Sequence, residues 1–395
     1  MFAEGSQIKR IGVVGGGQLA WMMAPGAKAL GVELIIQTPS KEDPGGAIAQ
    51  KIILGPVADA ATTAKLAAHC DVVTFENEFI DLPALKKLEA EGTIFYPQLE
   101  CLAPLLDKYD QRQYCDRIQL PSPPFATLHS QADQPQLSEK VKAVGLPLAL
   151  KTRRHGYDGQ GTFILKTLEA VESTWKKLGY QPVLLESFVN FKKELAVMVA
   201  RSASGEVAVY PVVETEQIDQ VCRRVIAPAR VSRQVVEKVS AIATKLVNSL
   251  GVVGIFGIEL FLTEDDQVLI NEIAPRTHNS GHYTLDACET SQFEQQLRAV
   301  SGRPLGSTKM TSLGAVMVNL LGTEDTPVGQ SSEYREKRSA IASLPNTHLY
   351  WYGKAQSRIG RKLAHVTVTT DKPKDDAAVA RIIQRIETLW YELSD

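Results

Sequence analysis

A pair of glutamates on two neighbouring predicted strands most constrains how this chain can fold. Residues 252–282, VVGIFGIELFLTEDDQVLINEIAPRTHNSGH, show period-2 alternation of apolar residues on both sides of an acidic, turn-forming segment. An antiparallel pairing across Thr263–Gln267 would place Glu259 and Glu272 roughly opposite one another. Because two carboxylates on one buried sheet face repel each other, the pattern predicts a cation between them.

The chemistry of this pair favours a hard divalent cation. A ligand set of oxygens, without Cys or His, points to Mg²⁺ or Mn²⁺, and Mg²⁺ bound in this way commonly shares its ligands with substrate phosphates. Asn271, beside Glu272, could add a further oxygen. The alternative is an ordinary hairpin with both glutamates in water, since charged side chains are mostly exposed.

A polar, irregular segment follows the second carboxylate directly. Residues 274–282, APRTHNSGH, include Arg276, His278 and Asn279. Burying such groups without partners costs free energy. We therefore expect a loop that binds an anion or a polar ring.

A second polar motif has the composition of a phosphate-binding loop. Residues 152–161, TRRHGYDGQG, follow a predicted strand that ends in Lys151. The glycines expose backbone N–H groups that can surround phosphates, and Lys151 can place a positive charge beside them. No GK[ST] follows the glycines, so this is not a Walker loop. A glycine-rich hairpin without a ligand is the alternative.

The N-terminal strand and glycine turn predict half of a doubly wound fold without an NAD site. Residues 8–14 and the following GGGQLA match the spacing G-x-G-x-x-A, in which glycines let a phosphate approach a helix N-terminus. An NAD site would have an acidic residue at the end of the second strand, where this chain has Gln37 and Thr38. Gln18 could instead reach a ligand phosphate or ribose, or serve only the turn.

A third strand, predicted within 71–78, ends in the polar sequence Glu76-Asn77-Glu78. Open α/β sheets bind ligands beyond the carboxyl ends of their strands. Glu76 therefore either contacts a substrate or takes part in helix capping.

Two helices complete the local predictions. One is expected over Cys101–Gln113 and contains Lys108, which either meets a phosphate or faces water. The other, Ser232–Leu250, is amphipathic, and its apolar face should pack as core. Three arginines between these helices are expected to be solvated: Arg223, Arg224 and Arg230.

The chain length and a proline-rich segment predict more than one domain. A chain of 395 residues exceeds the size of one typical core. The proline-rich 118–125, IQLPSPPF, is a credible internal boundary. We predict an N-terminal domain over 1–107, a central domain over 108–305 with a subdomain over about 118–185, and a C-terminal domain over 306–395.

Composition excludes several function classes. The net charge of −2 shows no basic excess for nucleic acid, no apolar run is long enough to cross a membrane, and the N-terminus lacks the apolar core of a signal peptide. The five cysteines are odd in number and without CxxC spacing, which fits reduced thiols in a cytosol rather than zinc ligands.

The motifs together resemble a known family over nearly the whole chain, from Gly15 to about Val368. The sequence GIELF…LINEIAPRTHNSGH is similar to the metal-binding core of the ATP-grasp superfamily. HNSGH, GYDG and WYGK…GRK are similar to its ATP-dependent carboxylases of aminoimidazole ribonucleotide in purine biosynthesis. The resemblance implies an α/β fold, α+β in the ATP-binding part: an ATP-grasp domain, an N-terminal doubly wound pre-ATP-grasp domain and a small β-rich C-terminal domain.

The resemblance also implies roles for individual residues. The metal ligands would be Glu259 and Glu272. The residues implied for ATP are Lys108, Lys151, Gly156, Gln160, Gly161, Glu186, Phe188, Val189, Glu194 and Asn271. The residues implied for the ribonucleotide are Gln18, Leu19, Glu76, Tyr157, Asp158, Arg276, His278, Asn279, Lys354 and Arg361, of which Asp158, Arg276, His278 and Asn279 would be catalytic.

For some of these residues the resemblance also implies which group of the substrate or of ATP they contact. Asp158 would bind the exocyclic amine, either accepting its proton or only orienting it. Glu186 would lie near the adenine amino group and Glu194 would accept hydrogen bonds from the ribose. Lys354 and Arg361 would hold the 5′-phosphate, and Arg is suited to binding a phosphate through two parallel hydrogen bonds.

The implied activity is ATP- and bicarbonate-dependent carboxylation through carboxyphosphate, with Mg²⁺, in a cytoplasmic homodimer. Sister ligases acting on biotin or a glycinamide ribonucleotide share the ATP site, and a non-catalytic nucleotide-binding module belongs to another class. This chain departs from the family pattern at Trp21 and at Leu363-Ala364-His365, where Met-Gly-His is usual.

Overall fold

The computed structural model describes residues 8–154, 161–328, 332–373 and 375–392. Four predicted site residues lie outside the described residues: Gly156, Tyr157, Asp158 and Gln160.

The N-terminal part is a parallel sheet covered on both faces by helices. Its strands are short apolar runs, as expected for parallel strands buried on both sides. Their order in the sheet is third, second, first and fourth along the chain, with every pairing parallel. The elements are β1 (Arg10–Val14), α1 (Gln18–Trp21), α2 (Ala24–Leu30), β2 (Glu33–Thr38), β3 (Lys51–Leu54), α3 (Ala60–Ala67), β4 (Val72–Phe75), α4 (Leu82–Ala90) and α5 (Leu99–Leu102).

The single helix predicted over Cys101–Gln113 is wrong. The chain instead breaks after α5, and α6 (Lys108–Arg117) begins at Lys108. Asp107 ends the break because its carboxylate accepts hydrogen bonds from the N–H groups of Tyr109 and Asp110. This N-cap makes a new helix start more favourable than continuation.

A small antiparallel sheet follows, with two helices on it. Counted along the chain, its four strands lie in the order first, fourth, second and third. The core of this unit contains Trp175 and Val171 from its second helix, packed against Leu150 and Leu185 of the sheet. The elements are β5 (Phe125–Leu128), α7 (Leu137–Val144), β6 (Leu148–Thr152), β7 (Thr162–Leu165), α8 (Leu168–Lys177) and β8 (Val183–Ser187).

The rest of the chain builds one large antiparallel sheet. Its order is β14-β13-β9-β11-β12-β15-β17-β16, with β10 paired to β9. The strands are β9 (Phe191–Arg201), β10 (Val207–Val209), β11 (Val213–Ile218), β12 (Val221–Ala227), β13 (Gly254–Thr263), β14 (Val268–Ala274), β15 (Gly314–Leu321), β16 (Thr347–Trp351) and β17 (Lys362–Thr370). The helices are α9 (Arg233–Leu250), α10 (Thr284–Ala287), α11 (Gln292–Val300), α12 (Ser332–Ala342) and α13 (Asp376–Glu387).

The sheet continues across the predicted boundary at residue 306. Strand β15 pairs with β12 on one side and with β17 on the other. The predicted C-terminal domain is therefore joined to the central one by backbone hydrogen bonds, and the proposed domain limits stay predictions.

The amphipathic helix predicted over 232–250 is confirmed. Ser232 is the N-cap of α9 and accepts a hydrogen bond from the N–H of Val235, while Gly251 ends the helix with φ 62°. Val239, Leu246 and neighbouring apolar residues of one face are buried against β9, β13 and β14. Among the helices that the structure describes, none is both long enough and apolar enough to cross a bilayer.

Helices α2 and α11 pack closely through a glycine. A Cβ added at Gly26 would lie 2.8 Å from the backbone Cα of Glu294. This contact attaches the N-terminal part to the helix that lies between β14 and β15 along the chain.

We expect Gly26→Ala to destabilise the protein by about 1–3 kcal/mol, because overpacking forces the two backbones apart. On an open helix the same change would stabilise by up to about 1 kcal/mol, so the sign of the effect is diagnostic. Urea unfolding measures it, and Lys28→Ala, on the exposed side of α2, is the matched control. A gain of stability in Gly26→Ala would contradict the close contact.

Candidate active site

A cleft of about 2020 Å³ brings together residues from the N-terminal sheet, the small sheet and the large sheet. Apart from Gly161, whose carbonyl accepts a hydrogen bond from Thr152 N–H, every described residue that was predicted for the site lines it. They are Gln18, Leu19, Glu76, Lys108, Lys151, Glu186, Phe188, Val189, Glu194, Glu259, Asn271, Glu272, Arg276, His278, Asn279, Lys354 and Arg361.

The two glutamates of the hairpin do lie opposite each other. Strands β13 and β14 are antiparallel with Glu259 paired to Glu272, and a bulge follows directly after Glu259. Burial, Glu272 and Glu194 raise the pKa of Glu259 to about 7. Although burial opposes ionisation, Lys108 lowers the pKa of Glu272 to about 2. Glu272 is therefore ionised. The pKa of Glu259 stays raised because Lys362 and Lys108 only partly offset the effects of burial and of the neighbouring carboxylates.

The donor set of this pair fits Mg²⁺. The structure shows no group of three or more Cys, His, Asp or Glu side chains suited to a metal within its described ranges. Two carboxylates facing a cleft agree with a hydrated Mg²⁺ that shares its ligands with phosphates. Asn271 is less available than predicted, because its Oδ1 accepts a hydrogen bond from Lys151 Nζ at 3.1 Å.

The lysines meet the carboxylates from two directions. Lys108, the first residue of α6, places Nζ 2.8 Å from Oε1 of Glu272. Lys151, near the end of β6, places Nζ 2.6 Å from Oε2 of Glu186. Both ammonium groups therefore lie at the cleft wall beside a carboxylate, and their contact with ATP phosphates stays a prediction.

Glu186 has a partner that the sequence reasoning missed. The guanidinium of Arg112 donates to its carboxylate and to the backbone oxygen of Asn271. Although burial opposes ionisation, Arg112 and Lys151 lower the pKa of Glu186 to about 2. The carboxylate is thus engaged in an ion-pair network, and its contact with the adenine amine stays a prediction. The signal for Arg112 was its position one turn after Lys108 in α6.

The adenine and ribose candidates lie beyond this network. Phe188 is 43% exposed on the segment between β8 and β9. Glu194, the fourth residue of β9, has its pKa raised to about 7 by burial. Its carboxyl group lines the cleft, and its hydrogen bonds with the ribose stay a prediction.

The polar segment after β14 is held by residues that were not predicted. The guanidinium of Arg276 lies 3.0 Å from the carboxylate of Glu78. The amides of Asn279 and Asn319 exchange two hydrogen bonds, 2.9 and 2.7 Å long. Glu78 belonged to the polar end of β4 and was visible in sequence, whereas no local signal linked Asn319 to the site.

His278 is oriented by its own loop. Its Nδ1 accepts a hydrogen bond from the N–H of Ser280 at 3.4 Å and lies 2.9 Å from the hydroxyl of that serine. Its Nε2 lies 3.7 Å from the carboxylate of Glu259. The imidazole therefore stands between the loop and the carboxylate pair.

Glu76 occupies the position at which a dinucleotide fold receives a phosphate. Its carboxylate accepts hydrogen bonds from the N–H groups of Gly17 and Leu19, at the start of α1. A Cβ at Gly17 would lie 2.3 Å from Oε1 of Glu76, so the glycine makes room for this carboxylate. Burial raises the pKa of Glu76 to about 7, opposed by Arg276 and Lys354.

Two basic residues of the β16–β17 connection reach the same cleft. Lys354 Nζ donates to the backbone oxygen of Lys362 at 2.7 Å, and Arg361 donates to that of Gln356 at 2.8 Å. Both side chains bring positive charge to this end of the cleft, and Lys354 is close enough to Glu76 to lower the pKa of that carboxyl group.

The expectation that Arg223, Arg224 and Arg230 are simply solvated is wrong. Arg224 bridges Glu216 and Glu387, at 2.8 and 2.6 Å. Arg230 pairs with Glu214 at 2.8 Å, and Arg223 lies 4.4 Å from the ring centre of Tyr391. The contacts of Arg224 and Arg223 join the large sheet to α13 and the segment after it, and Arg230 also pairs with Asp376 at the start of α13.

We expect Arg112→Met to destabilise the protein by about 3 kcal/mol, because it leaves Glu186 buried with Lys151 alone. Adding Glu186→Gln should recover part of the loss, a coupling that a double-mutant cycle in urea measures. Arg117→Met, on the exposed face of α6, is the control and should cost less than about 1 kcal/mol. Additive losses would argue against the buried pair.

Family models match three successive parts of the chain. They are the ribonucleotide synthetase preATP-grasp domain over residues 8–104, the ATP-grasp domain over 113–293 and the phosphoribosylaminoimidazole carboxylase C-terminal domain over 315–378. The fold class predicted from the sequence is confirmed.

Relatives cover essentially the whole chain. The N5-carboxyaminoimidazole ribonucleotide synthase of Synechococcus elongatus is 52% identical over 98% of this chain and 95% of its own, and that of Bacillus subtilis is 38% identical over 96% and 95%. A crystal structure of the Aspergillus clavatus synthase with ADP and 5-aminoimidazole ribonucleotide is 30% identical, with a TM-score of 0.87 over 96% of this chain and 98% of that one. The chain belongs to the N5-carboxyaminoimidazole ribonucleotide synthase family, ligases of the ATP-grasp superfamily.

Proposed function

We propose that this protein carboxylates the amine of 5-aminoimidazole ribonucleotide to N5-carboxyaminoimidazole ribonucleotide in purine biosynthesis, using ATP and bicarbonate. The observation that carries the proposal is the convergence of the lysines, the carboxylate pair and the HNSGH segment on one cleft. Family membership indicates which of the ATP-grasp reactions the cleft performs.

The first chemical step is attack of a bicarbonate oxygen on the γ-phosphorus of ATP, which releases ADP and forms carboxyphosphate. Lys108 and Lys151 offset the negative charge that this phosphoryl transfer redistributes. Each lysine is anchored by a carboxylate, so its position is set before ATP binds.

Glu259 and Glu272 are the proposed ligands of Mg²⁺. Bound there, the ion would neutralise charge on the transferred phosphoryl group. Ionised Glu272 is held toward this position by Lys108. Glu259, with its raised pKa, would lose its proton when a divalent cation binds beside it.

The second step is breakdown of carboxyphosphate to CO₂ and phosphate, followed by attack of the substrate amine on CO₂. Arg276 and His278 line the cleft beside the carboxylate pair and would hold the anionic intermediate near the amine. Asp158, outside the described residues, is proposed for the amine itself. Water must be excluded because it hydrolyses the intermediate, and the loop 152–161 is the proposed cover.

Lys354 and Arg361 are proposed for the 5′-phosphate of the ribonucleotide, with Gln18, Leu19 and Glu76 along its ribose. The adenine and ribose of ATP would contact the segment with Phe188 and Val189, and Glu194. Action as a cytoplasmic homodimer, with the domain limits predicted above, completes the proposal.

The principal test is ADP release by the purified protein with Mg-ATP and bicarbonate, with and without 5-aminoimidazole ribonucleotide. We expect strong stimulation by the nucleotide and a loss on the order of 100-fold or more in Glu272→Ala. Glu264→Ala, in the exposed turn of the same hairpin, should retain full activity. Stimulation by biotin or a glycinamide ribonucleotide instead would identify a sister ligase, and no turnover with any of them a non-catalytic module.

A second test concerns the phosphate site. We expect Arg361→Met to raise KM for 5-aminoimidazole ribonucleotide about 10–100-fold, because a charge-assisted bond contributes about 1.5–3 kcal/mol. KM for ATP should stay the same. Lys372→Met, an exposed lysine after β17, is the control. Equal changes in both KM values would refute a phosphate role.

A further inference from the structure

One buried glutamine clamps the backbone of the HNSGH segment. Gln292, the first residue of α11, is fully buried. Its Oε1 accepts the N–H of His278 at 2.9 Å, and its Nε2 donates to the carbonyl of the same residue at 2.8 Å. A Cβ at Gly281 would lie 2.6 Å from Oε1, so the glycine of HNSGH lets the loop close on this amide.

The same amide determines where the proton of His282 lies. Nε2 of Gln292 is 3.0 Å from Nδ1 of His282. The amide cannot be turned over, because its oxygen would then face the carbonyl of His278 and its NH₂ the N–H. Nε2 is therefore a donor toward Nδ1, and His282 carries its own proton on Nε2.

That Nε2–H group has no hydrogen-bond partner among the described residues, although it is buried. His282 lies against the cleft, with its ring 4.9 Å from that of His365 and 5.6 Å from that of Phe293. Burial, with positive charge from Lys362 and Arg276 among the contributing neighbours, lowers the pKa of His282 well below its usual value. The ring is thus a neutral donor, and a buried donor without an acceptor is energetically unfavourable.

We propose that Gln292 is a positioning residue that fixes the backbone of His278 and holds His282 as the Nε2–H tautomer, which donates to an anionic oxygen of the bound one-carbon substrate. This proposal rests on the carboxylase function given above. Lys362 and Arg276 favour an anionic acceptor in this part of the cleft, and the oxygens of bicarbonate supply one.

The chain contains a matched control on the same helix. Gln295 is also fully buried, and its amide clamps Gly306 in the same two-bond manner, at 2.7 and 2.8 Å. It contacts no histidine in these bonds. A change at Gln295 therefore reproduces the loss of a buried backbone clamp on α11 without touching His282.

The decisive variant is Gln292→Glu, which has the same shape but cannot donate while ionised. Without a donor opposite Nδ1, His282 should move its proton to Nδ1. Nitrogen NMR of ¹⁵N-histidine-labelled protein reads the tautomer directly, and His282→Gln assigns the signal among the seven histidines. In the wild type we expect the Nε2–H tautomer of His282, and its nitrogen resonances should move when bicarbonate is added in the presence of Mg-ADP.

Kinetics complete the test. We expect Gln292→Glu to lower kcat of nucleotide-stimulated ADP release about 10–100-fold, with KM for ATP changed less than about twofold, because the ATP end is untouched. Gln295→Glu should leave the tautomer and this kcat unchanged. His282→Gln, which keeps a donor, should retain more activity than His282→Phe.

Several results would overturn the proposal: an Nδ1–H tautomer in the wild type, no response of His282 to bicarbonate, or equal kinetic losses in the two glutamine variants. Failure of the carboxylase function itself would look different. The wild type would then lack stimulated turnover, while the spectrum would still decide the role of Gln292 in setting the tautomer.

Discussion

The charge balance among the carboxylates of the cleft is the interaction on which the rest of the structure depends. Glu272 and Glu186 stay ionised because Lys108, Lys151 and Arg112 reach them from other elements. Arg112 and Glu186 are buried, with Lys151 beside them, and breaking such a buried ion pair is very costly. Lys108 is held at the partly exposed Glu272 by a contact of 2.8 Å. The lysines are therefore fixed in the cleft before any ligand arrives, which is the preorganisation that phosphoryl transfer requires.

The continuous sheet places the two ends of the proposed substrate path on one framework. The carboxylate pair lies on β13 and β14, whereas Lys354 and Arg361 precede β17. Because β12 pairs with β15, and β15 with β17, the distance between these sites is set by backbone ladders. Helix α11 adds a second connection, through the packing of α2 on it and the clamp of Gln292 on His278.

The site was predicted best where its signal is local in sequence. The opposition of Glu259 and Glu272 follows from strand periodicity and one short turn, which determine register without help from the rest of the chain. The prediction was wrong or incomplete where a side chain's partner lies far away in the sequence. The resemblance places Glu186 near the adenine amine, whereas the structure pairs its carboxylate with Arg112, which is 74 residues away in the chain. The helix predicted over Cys101–Gln113 also runs through Asp107, whose carboxylate is the N-cap of α6.

The sequence by itself thus determined the carboxylate pair, the glycine turn and the polar segment after β14, because periodicity, glycine spacing and runs of polar residues are local properties. The resemblance of its motifs to a known family implied the fold class. Only the tertiary structure decided the partners. Lys108 meets Glu272 over 164 residues and Arg276 meets Glu78 over 198. The tautomer of His282 depends on Gln292, whose side chain reaches it from α11. Such contacts arise from how helices dock on sheets, and no spacing along the chain encodes them.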